Sequence, residues 1–415
     1  MMRVLINAGP WLRVPPDGYG GIENVVATLV PELRRRGVHV VLATVGGSSI
    51  GVDEMFWAYD DPQFGQLQRP YTRVMGVSMA HATRVTRELR ERDDIDLVHD
   101  HVEAVGPTVL GAMGDAAPPV LHTLHWDLGK HPQLYGAFDG CGRMWVNGVS
   151  AAQLARAPAA LRAHNLGHIH LATPLAEDAD RVDDADAVPR RDRGRYLIAL
   201  GRVTAGKGQH IAARLAHRLG VDLLLAGPVG QYHQPAALAK ALTDEPDAAA
   251  NPDLRYWREQ VMPEVDGQRV RWLGNVNARE RDQIVAHAMA SIFPVQWDEP
   301  GGTAIVESLA LGTPVVGYRR GCLPELVDEA STGLLVDPDD EDGLAARILA
   351  VRALHPSACR RAAATRFAPS VMAENYLNLY QTVIQRAATP VGVNQGPGQS
   401  PALANSHRTP APDQG

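Results

Sequence analysis

Glu299 and Glu307 bracket a glycine turn, Gly301-Gly302-Thr303, that opens an amphipathic stretch running to Leu311. Glycines without Cβ atoms let backbone N–H groups approach a ligand closely, and a helix starting there turns its positive end toward that ligand. Thr303 and Glu307 share one helix face, while Ile305, Val306 and Leu309 can point to a core. Bare amides at a helix start suit phosphates, and carboxylates suit hydroxyls. A nucleotide sugar carries both kinds of group.

Three further clusters have the same character. Gly201-Arg202-Val203-Thr204-Ala205-Gly206-Lys207-Gly208 follows an apolar run and precedes an amphipathic one, Gln209–Leu219. Glycines and two cations at a strand-to-helix turn can hold a diphosphate, although the order is not that of a Walker loop. The chain has lysines only at 130, 207 and 240, so Lys207 stands out against an Arg-based composition as a compact point charge. Near the N-terminus, Gly18-Tyr19-Gly20-Gly21-Ile22-Glu23 opens the first long helical segment, where Gly20 and Gly21 could meet phosphate from the opposite side. Histidines gather after two other apolar runs, His99-Asp100-His101 and His122-Thr123-Leu124-His125-Trp126-Asp127. Zinc is one reading of these pairs, but no Cys or Glu stands at companion spacing. Hydrogen-bonded cleft histidines are the other.

The elements that must position these residues alternate. Strands are expected at Val4–Ala8, Val38–Thr44, Asp96–His99, Val120–Leu124 and Met144–Val149, with helices at Ile22–Arg36, Ser78–Arg92 and Ser150–Arg156. The pattern restarts at Tyr196–Leu200 and continues with strands Asp222–Ala226, Val270–Leu273, Ile292–Val295, Pro314–Gly317 and Gly333–Val336. This is an α/β chain of two doubly wound, Rossmann-like domains facing a central cleft, at 1–175 and 195–368, with a charged linker at 176–194. An amphipathic helix at 369–387 follows, then a tail at 388–415 whose Pro, Gly, Gln and Ser content reads as disordered.

A net charge of −7 and an aromatic content of 5% argue against a nucleic-acid partner. Cys141, Cys322 and Cys359 form neither a disulfide framework nor a metal pattern, and with no signal peptide or membrane-length apolar run a cytoplasmic location is expected. Leu33-Arg34-Arg35-Arg36 admits peripheral membrane contact, although cations at a helix end also complement its dipole.

The segment from Glu299 to Glu307 resembles the E-x7-E signature of the family-4 retaining glycosyltransferases, and Gly312-Thr313-Pro314-Val315-Val316 continues that pattern. Gly201–Gly208 is similar to the family's G-R-x-x-x-x-K-G loop, and Gly18–Glu23 to its N-terminal glycine loop. The resemblance implies the GT-B fold and a crossover helix at 369–387 returning to the first domain. It implies transfer of a sugar from a nucleoside diphosphate donor to an acceptor hydroxyl, with retention, without a divalent metal and without a cofactor. By residue match, Arg202 and Lys207 would hold the diphosphate, Glu307 the ribose and Glu299 the sugar. His125, in Thr123-Leu124-His125, would lie near the anomeric carbon, with Asp127 beside it and Glu23 and His101 on the acceptor side. The departure is Gly301, where the family has a bulky aromatic, followed by Gly302 and Thr303; this leaves the shape of the sugar pocket open. The alternatives are a GT-B-fold sugar-nucleotide epimerase and a nucleotide-sugar-binding protein without transfer activity. Donor base, sugar and acceptor (glycan, lipid or small molecule) are not encoded in any legible way.

Overall fold

Runs such as Val4-Leu5-Ile6 and Val40-Val41-Leu42-Ala43 are apolar on both faces and entirely buried, the pattern of strands covered from both sides in parallel sheets. The computed structural model describes residues 1–18, 20–181, 194–244 and 251–389. In the first half, β1 (Arg3–Asn7), β2 (His39–Thr44), β3 (Glu54–Trp57), β4 (Leu97–Asp100), β5 (Val120–Thr123), β6 (Met144–Gly148) and β7 (Asn165–His168) form a parallel sheet ordered β3-β2-β1-β4-β5-β6-β7. In the second, β8 (Tyr196–Leu200), β9 (Asp222–Ala226), β10 (Val270–Gly274), β11 (Ala290–Phe293), β12 (Val315–Tyr318) and β13 (Gly333–Val336) form another, ordered β10-β9-β8-β11-β12-β13.

The direction of winding reverses between β1 and β4 in one sheet and between β8 and β11 in the other. Chains leaving neighbouring strands at such a point diverge to opposite faces and open a crevice at the carboxyl ends, where ligands bind in this architecture. The Gly18–Glu23 loop follows β1, the Asp100–Glu103 segment β4, the Gly201–Gly208 loop β8 and the Gly301 turn β11. All four therefore stand at a switch point.

Several expected boundaries move. The edge strands β3 (Glu-Met-Phe-Trp) and β7 (Asn-Leu-Gly-His) were not anticipated; they contain no β-branched residue, and their pairing with β2 and β6 is what makes them strands. The helix expected from Ser78 spans Tyr71–Arg90, its first turn following Pro70, which tolerates a helix start. β11 ends at Phe293 rather than Val295 because Pro294 has no N–H for a ladder. Part of the expected linker forms short 3₁₀ turns, Pro174–Ala176 and Ala179–Arg181; residues 182–193, the tail beyond 389 and Tyr19 lie outside the described residues. Arg34 of the basic run donates to Asp53 at 3.0 and 3.1 Å, and Arg35 and Arg36 both engage Glu32. These cations are held by carboxylates of the protein itself.

The helix Pro369–Ala388 packs against the helix Gly21–Arg35. Met372, Ala373, Tyr376, Tyr380 and Val383, which recur on one helix face, are fully or nearly fully buried in the same cluster as Val4, Ile6 and Leu29 of the first sheet and its first helix. The Tyr380 hydroxyl pairs with His99 Nδ1 at 2.7 Å, and the Tyr376 hydroxyl with Thr123 Oγ1 at 3.2 Å. The last helix is thus built into the first core.

Tyr380→Ala should lower stability by about 3–5 kcal/mol through the lost ring and the cavity it leaves. Tyr380→Phe, which removes only the bond to His99, should cost about 1 kcal/mol. Equilibrium urea unfolding separates the two, and equal losses would contradict this packing.

Candidate active site

On the second domain the glycine turns are sterically required. Gly208 has φ +71° and a Cβ there would collide with the Pro294 carbonyl, so the loop after β8 lies directly against the loop after β11. Gln296 N donates to Gly206 O at 2.8 Å. Gly302 has φ +68°, and its missing Cβ leaves room for Leu326 Cδ1 and Cys322 Sγ at 2.7 and 2.8 Å from the position it would take. The helix Thr303–Ala310 begins there with no side-chain cap, leaving its first N–H groups available to a ligand. Ile305, Val306 and Leu309 are buried while Thr303 and Glu307 are partly exposed, as the helix period requires.

The charged side chains meet across these loops. Lys207 Nζ donates to Glu299 Oε2 at 2.5 Å, and Trp297 Nε1 donates to the same oxygen at 3.1 Å. Glu307 Oε1 lies 3.3 Å from Arg281 Nη1; burial raises the Glu307 pKa and Arg281 partly offsets it. Arg281 escaped the sequence reading, since an arginine in a polar helix (Ala278–His287) gives no signal by itself. Arg202 opens the same loop as Lys207, with its carbonyl bonded to Gln209 Nε2 at 2.9 Å, and its charge reaches Asp253.

On the first domain the histidines form a buried network rather than a metal centre. His101 Nδ1 and His125 Nε2 are 2.9 Å apart, sharing one proton, and burial holds the His125 pKa down to about 4, so it is a neutral imidazole at pH 7. His122 Nδ1 pairs with Asp100 Oδ2 at 2.6 Å, and its Nε2 faces Glu103 Oε2 at 3.6 Å, an ion-pair rather than a hydrogen-bond distance. Glu103 was missed by sequence reading. Its carboxylate accepts the backbone N–H groups of His125 and Trp126 at 2.5 and 2.8 Å and the Tyr135 hydroxyl at 2.8 Å. It is a fixed anchor under the loop that carries His125. Despite its burial, the flanking His122 and the Tyr135 hydroxyl hold Glu103 down to about 2, and the two carboxylates push His122, against its own burial, up to about 9. Asp127 faces away from this group, capping Gly129 N at 2.9 Å and pairing with Arg156 at 3.1 Å.

Gly20 closes on Pro16, where a Cβ would lie 2.7 Å from two ring carbons; Gly21 is open, and the helix Gly21–Arg35 likewise starts without a side-chain cap. Glu23 in its first turn is buried, which pushes its pKa up to about 7. The two domains touch around the cleft. Arg156 Nη1 lies 3.3 Å from Asp298 Oδ2, Lys130 Nζ sits 5.3 Å from the Trp297 ring centre, and Glu325 accepts the N–H groups of Ala151 and Ala152 at 2.8 and 2.7 Å. Gly301 meets the first domain: a Cβ there would be 2.6 Å from Leu171 Cδ1 and 3.5 Å from Val149. The space of the family's aromatic is occupied here by aliphatic groups of the opposite domain.

Two facing doubly wound domains with anion-suited helix starts on one side and a histidine network on the other define a GT-B glycosyltransferase architecture. Residues 19–159 match the family model described as Glycosyltransferase Family 4, and residues 180–365 match that of Glycosyl transferases group 1. The chain belongs to the family-4 glycosyltransferases. It is 24% identical over 386 residues to a phosphatidyl-myo-inositol mannosyltransferase of Mycobacterium leprae, covering 88% of this chain and 94% of the relative. It is 25% identical over 393 residues to a glycogen synthase of Mycobacterium tuberculosis, covering 88% and 89%. The crystal structure of AviGT4, a glycosyltransferase involved in avilamycin A biosynthesis, superposes with a TM-score of 0.60 at 25% identity, over 93% of this chain and 98% of that one. Among the described residues no helix is long and apolar enough to cross a membrane.

Glu103→Ala should destabilise the fold by about 3–5 kcal/mol, since it leaves buried His122 and two backbone N–H groups without their carboxylate. The His122 contribution has a defined pH window. With its pKa raised from 6.5 to about 9, its stabilisation is complete below pH 6.5 and is lost as pH rises through 9. The stability difference between wild type and His122→Gln should therefore shrink steadily from pH 6.5 to 9 in urea titrations; a constant difference would rule out a charged His122.

Proposed function

We propose that this chain transfers a hexosyl group from a nucleoside diphosphate sugar to an acceptor hydroxyl, with retention of configuration and without a divalent metal. The observation carrying the proposal is the meeting of Lys207 with Glu299 at 2.5 Å beside the uncapped start of the helix Thr303–Ala310. A cation, a carboxylate and free N–H groups converge there, the set of groups that the junction of a diphosphate and a sugar would need. In this reading Arg202, Lys207 and the amides after Gly302 hold the diphosphate, Glu307 the ribose and Glu299 the sugar hydroxyls. Gly20 and Gly21 approach the phosphates from the first domain.

The reaction breaks the bond between the anomeric carbon and the phosphate oxygen, whose electron pair leaves with the diphosphate. The acceptor oxygen bonds to the anomeric carbon on the same face, and its proton passes to the departing phosphate oxygen. Fixed cations and helix amides stabilise the charge that develops on the leaving group, the role a divalent ion plays elsewhere. Neutral His125, anchored through Glu103, is suited to donate to the sugar near the anomeric carbon, with His101 and Glu23 on the acceptor side. The relatives' names span lipid-linked inositol and glycogen products; what they share is the sugar transfer, so the acceptor of this chain is a matter for screening.

The test is a thermal-shift panel of nucleoside diphosphate sugars with and without EDTA. One donor should raise the melting temperature in a concentration-dependent way, EDTA should leave the size of that donor-induced shift unchanged, and Lys207→Ala or Glu307→Ala should abolish it. No binder, or binding that survives both substitutions, overturns the assignment. Consumption of the bound donor with an acceptor present, and not without one, separates transfer from epimerisation.

A further inference from the structure

His168 ends the edge strand β7, and His170 lies two residues on, so the two side chains share a face around the buried Ile169. Their ring centres are 4.8 Å apart. Across the domain boundary stands Glu325, on the short helix Leu323–Leu326 that follows β12. His168 Nε2 and His170 Nε2 lie 3.8 and 3.9 Å from the same atom, Glu325 Oε2, and all three ligand atoms are within 4.8 Å of one another. Among the described residues this is the group of His, Cys, Asp and Glu side chains whose ligand atoms converge.

The separations are too long for hydrogen bonds, and the partners of each group explain why. His170 Nδ1 is 3.2 Å from the Val149 carbonyl and donates to it. That fixes the tautomer and leaves the Nε2 lone pair directed at Glu325, the arrangement by which backbone carbonyls orient metal-ligating histidines. The Glu325 oxygens each accept one N–H, from Ala151 and Ala152, which leaves lone pairs to spare on each. The His170 nitrogen and one carboxylate oxygen therefore point electron pairs at a gap that His168 Nε2 also borders. Arg366 is the nearby cation, and it is committed to Asp328 at 2.9 Å and to the carbonyls of Glu325 and Leu326. The side chains of His168, His170 and Glu325 are 34, 20 and 20% exposed, so a hydrated ion can enter.

We propose that His168, His170 and Glu325 form a binding site for a borderline divalent cation of the zinc type. Two imidazoles and a carboxylate are a ligand set that zinc accepts at about 2.0–2.2 Å, with water completing a tetrahedron. Drawing the three atoms slightly together is enough to reach those distances. The ion is structural: it shares no residue with the donor loops, and it bridges β7 of the first domain to a helix of the second.

The experiment is a titration of tag-free, chelator-stripped protein in a Cys141→Ser background, which removes the exposed thiol. Zn²⁺ binding is followed by calorimetry and Co²⁺ binding by its visible ligand-field bands. One equivalent of each should bind, and His168→Ala or His170→Ala should weaken binding by at least ~10-fold; Glu325→Gln should do the same. These histidines are partly exposed, so the variants fold. Failure of wild type to bind either ion, or one-equivalent binding retained in both histidine variants, overturns the site. Neither result depends on the identity of the sugar donor.

Discussion

All strands of each sheet run in one direction, and this constraint governs the rest. A parallel strand must be followed by a crossover, so every strand's carboxyl end and many helix starts collect on one edge of the sheet. Helix starts carry unsatisfied N–H groups and positive potential. When two such edges face each other, the cleft between them is rich in donors before any side chain is considered. The glycine turns after β1, β8 and β11 let these loops pack closely where a Cβ would collide with Pro16, the Pro294 carbonyl or Leu326.

Cations and carboxylates on these edges divide the labour by domain. The second domain offers fixed charge, with Lys207 and Glu299 in direct contact and Glu307 beside Arg281. The first offers neutral imidazoles, His101 and His125, over a buried charged layer of Asp100, His122 and Glu103. An ion pair buried this deeply is costly unless its remaining lone pairs are satisfied. Glu103 meets that condition with two backbone N–H groups and a tyrosine hydroxyl. The result is a rigid floor under His125, the kind of preorganisation that transfer between two bound substrates requires.

Domain arrangement depends on a few contacts of different kinds. The last helix of the chain is packed into the core of the first domain through Tyr376 and Tyr380. Glu325 joins the second domain to Ala151 and Ala152, and Leu171 fills the space at Gly301. That last contact explains how a family position usually held by an aromatic tolerates glycine here.

Much of this was legible in the sequence because local patterns carry it. Apolar runs of strand length, glycines before amphipathic segments and one of only three lysines in an Arg-rich chain set the class of fold and pointed to Gly201–Gly208 and Glu299–Glu307. Those signals need only neighbours in the chain. The edge strands β3 and β7 were not legible, since their weak propensity is overridden by pairing with a partner far away in sequence. Glu103, Arg281 and Glu325 were missed as functional residues for the same reason. Each is an ordinary charged residue whose meaning comes from a group 22 or more positions away, such as His125 N, Glu307 or Ala151. The sequence by itself determined the central strands, the main helices and the polar loops between them. Which of those loops face each other, and which buried charges hold them there, was decided only by long-range packing, because burial and ion pairing depend on distance in space.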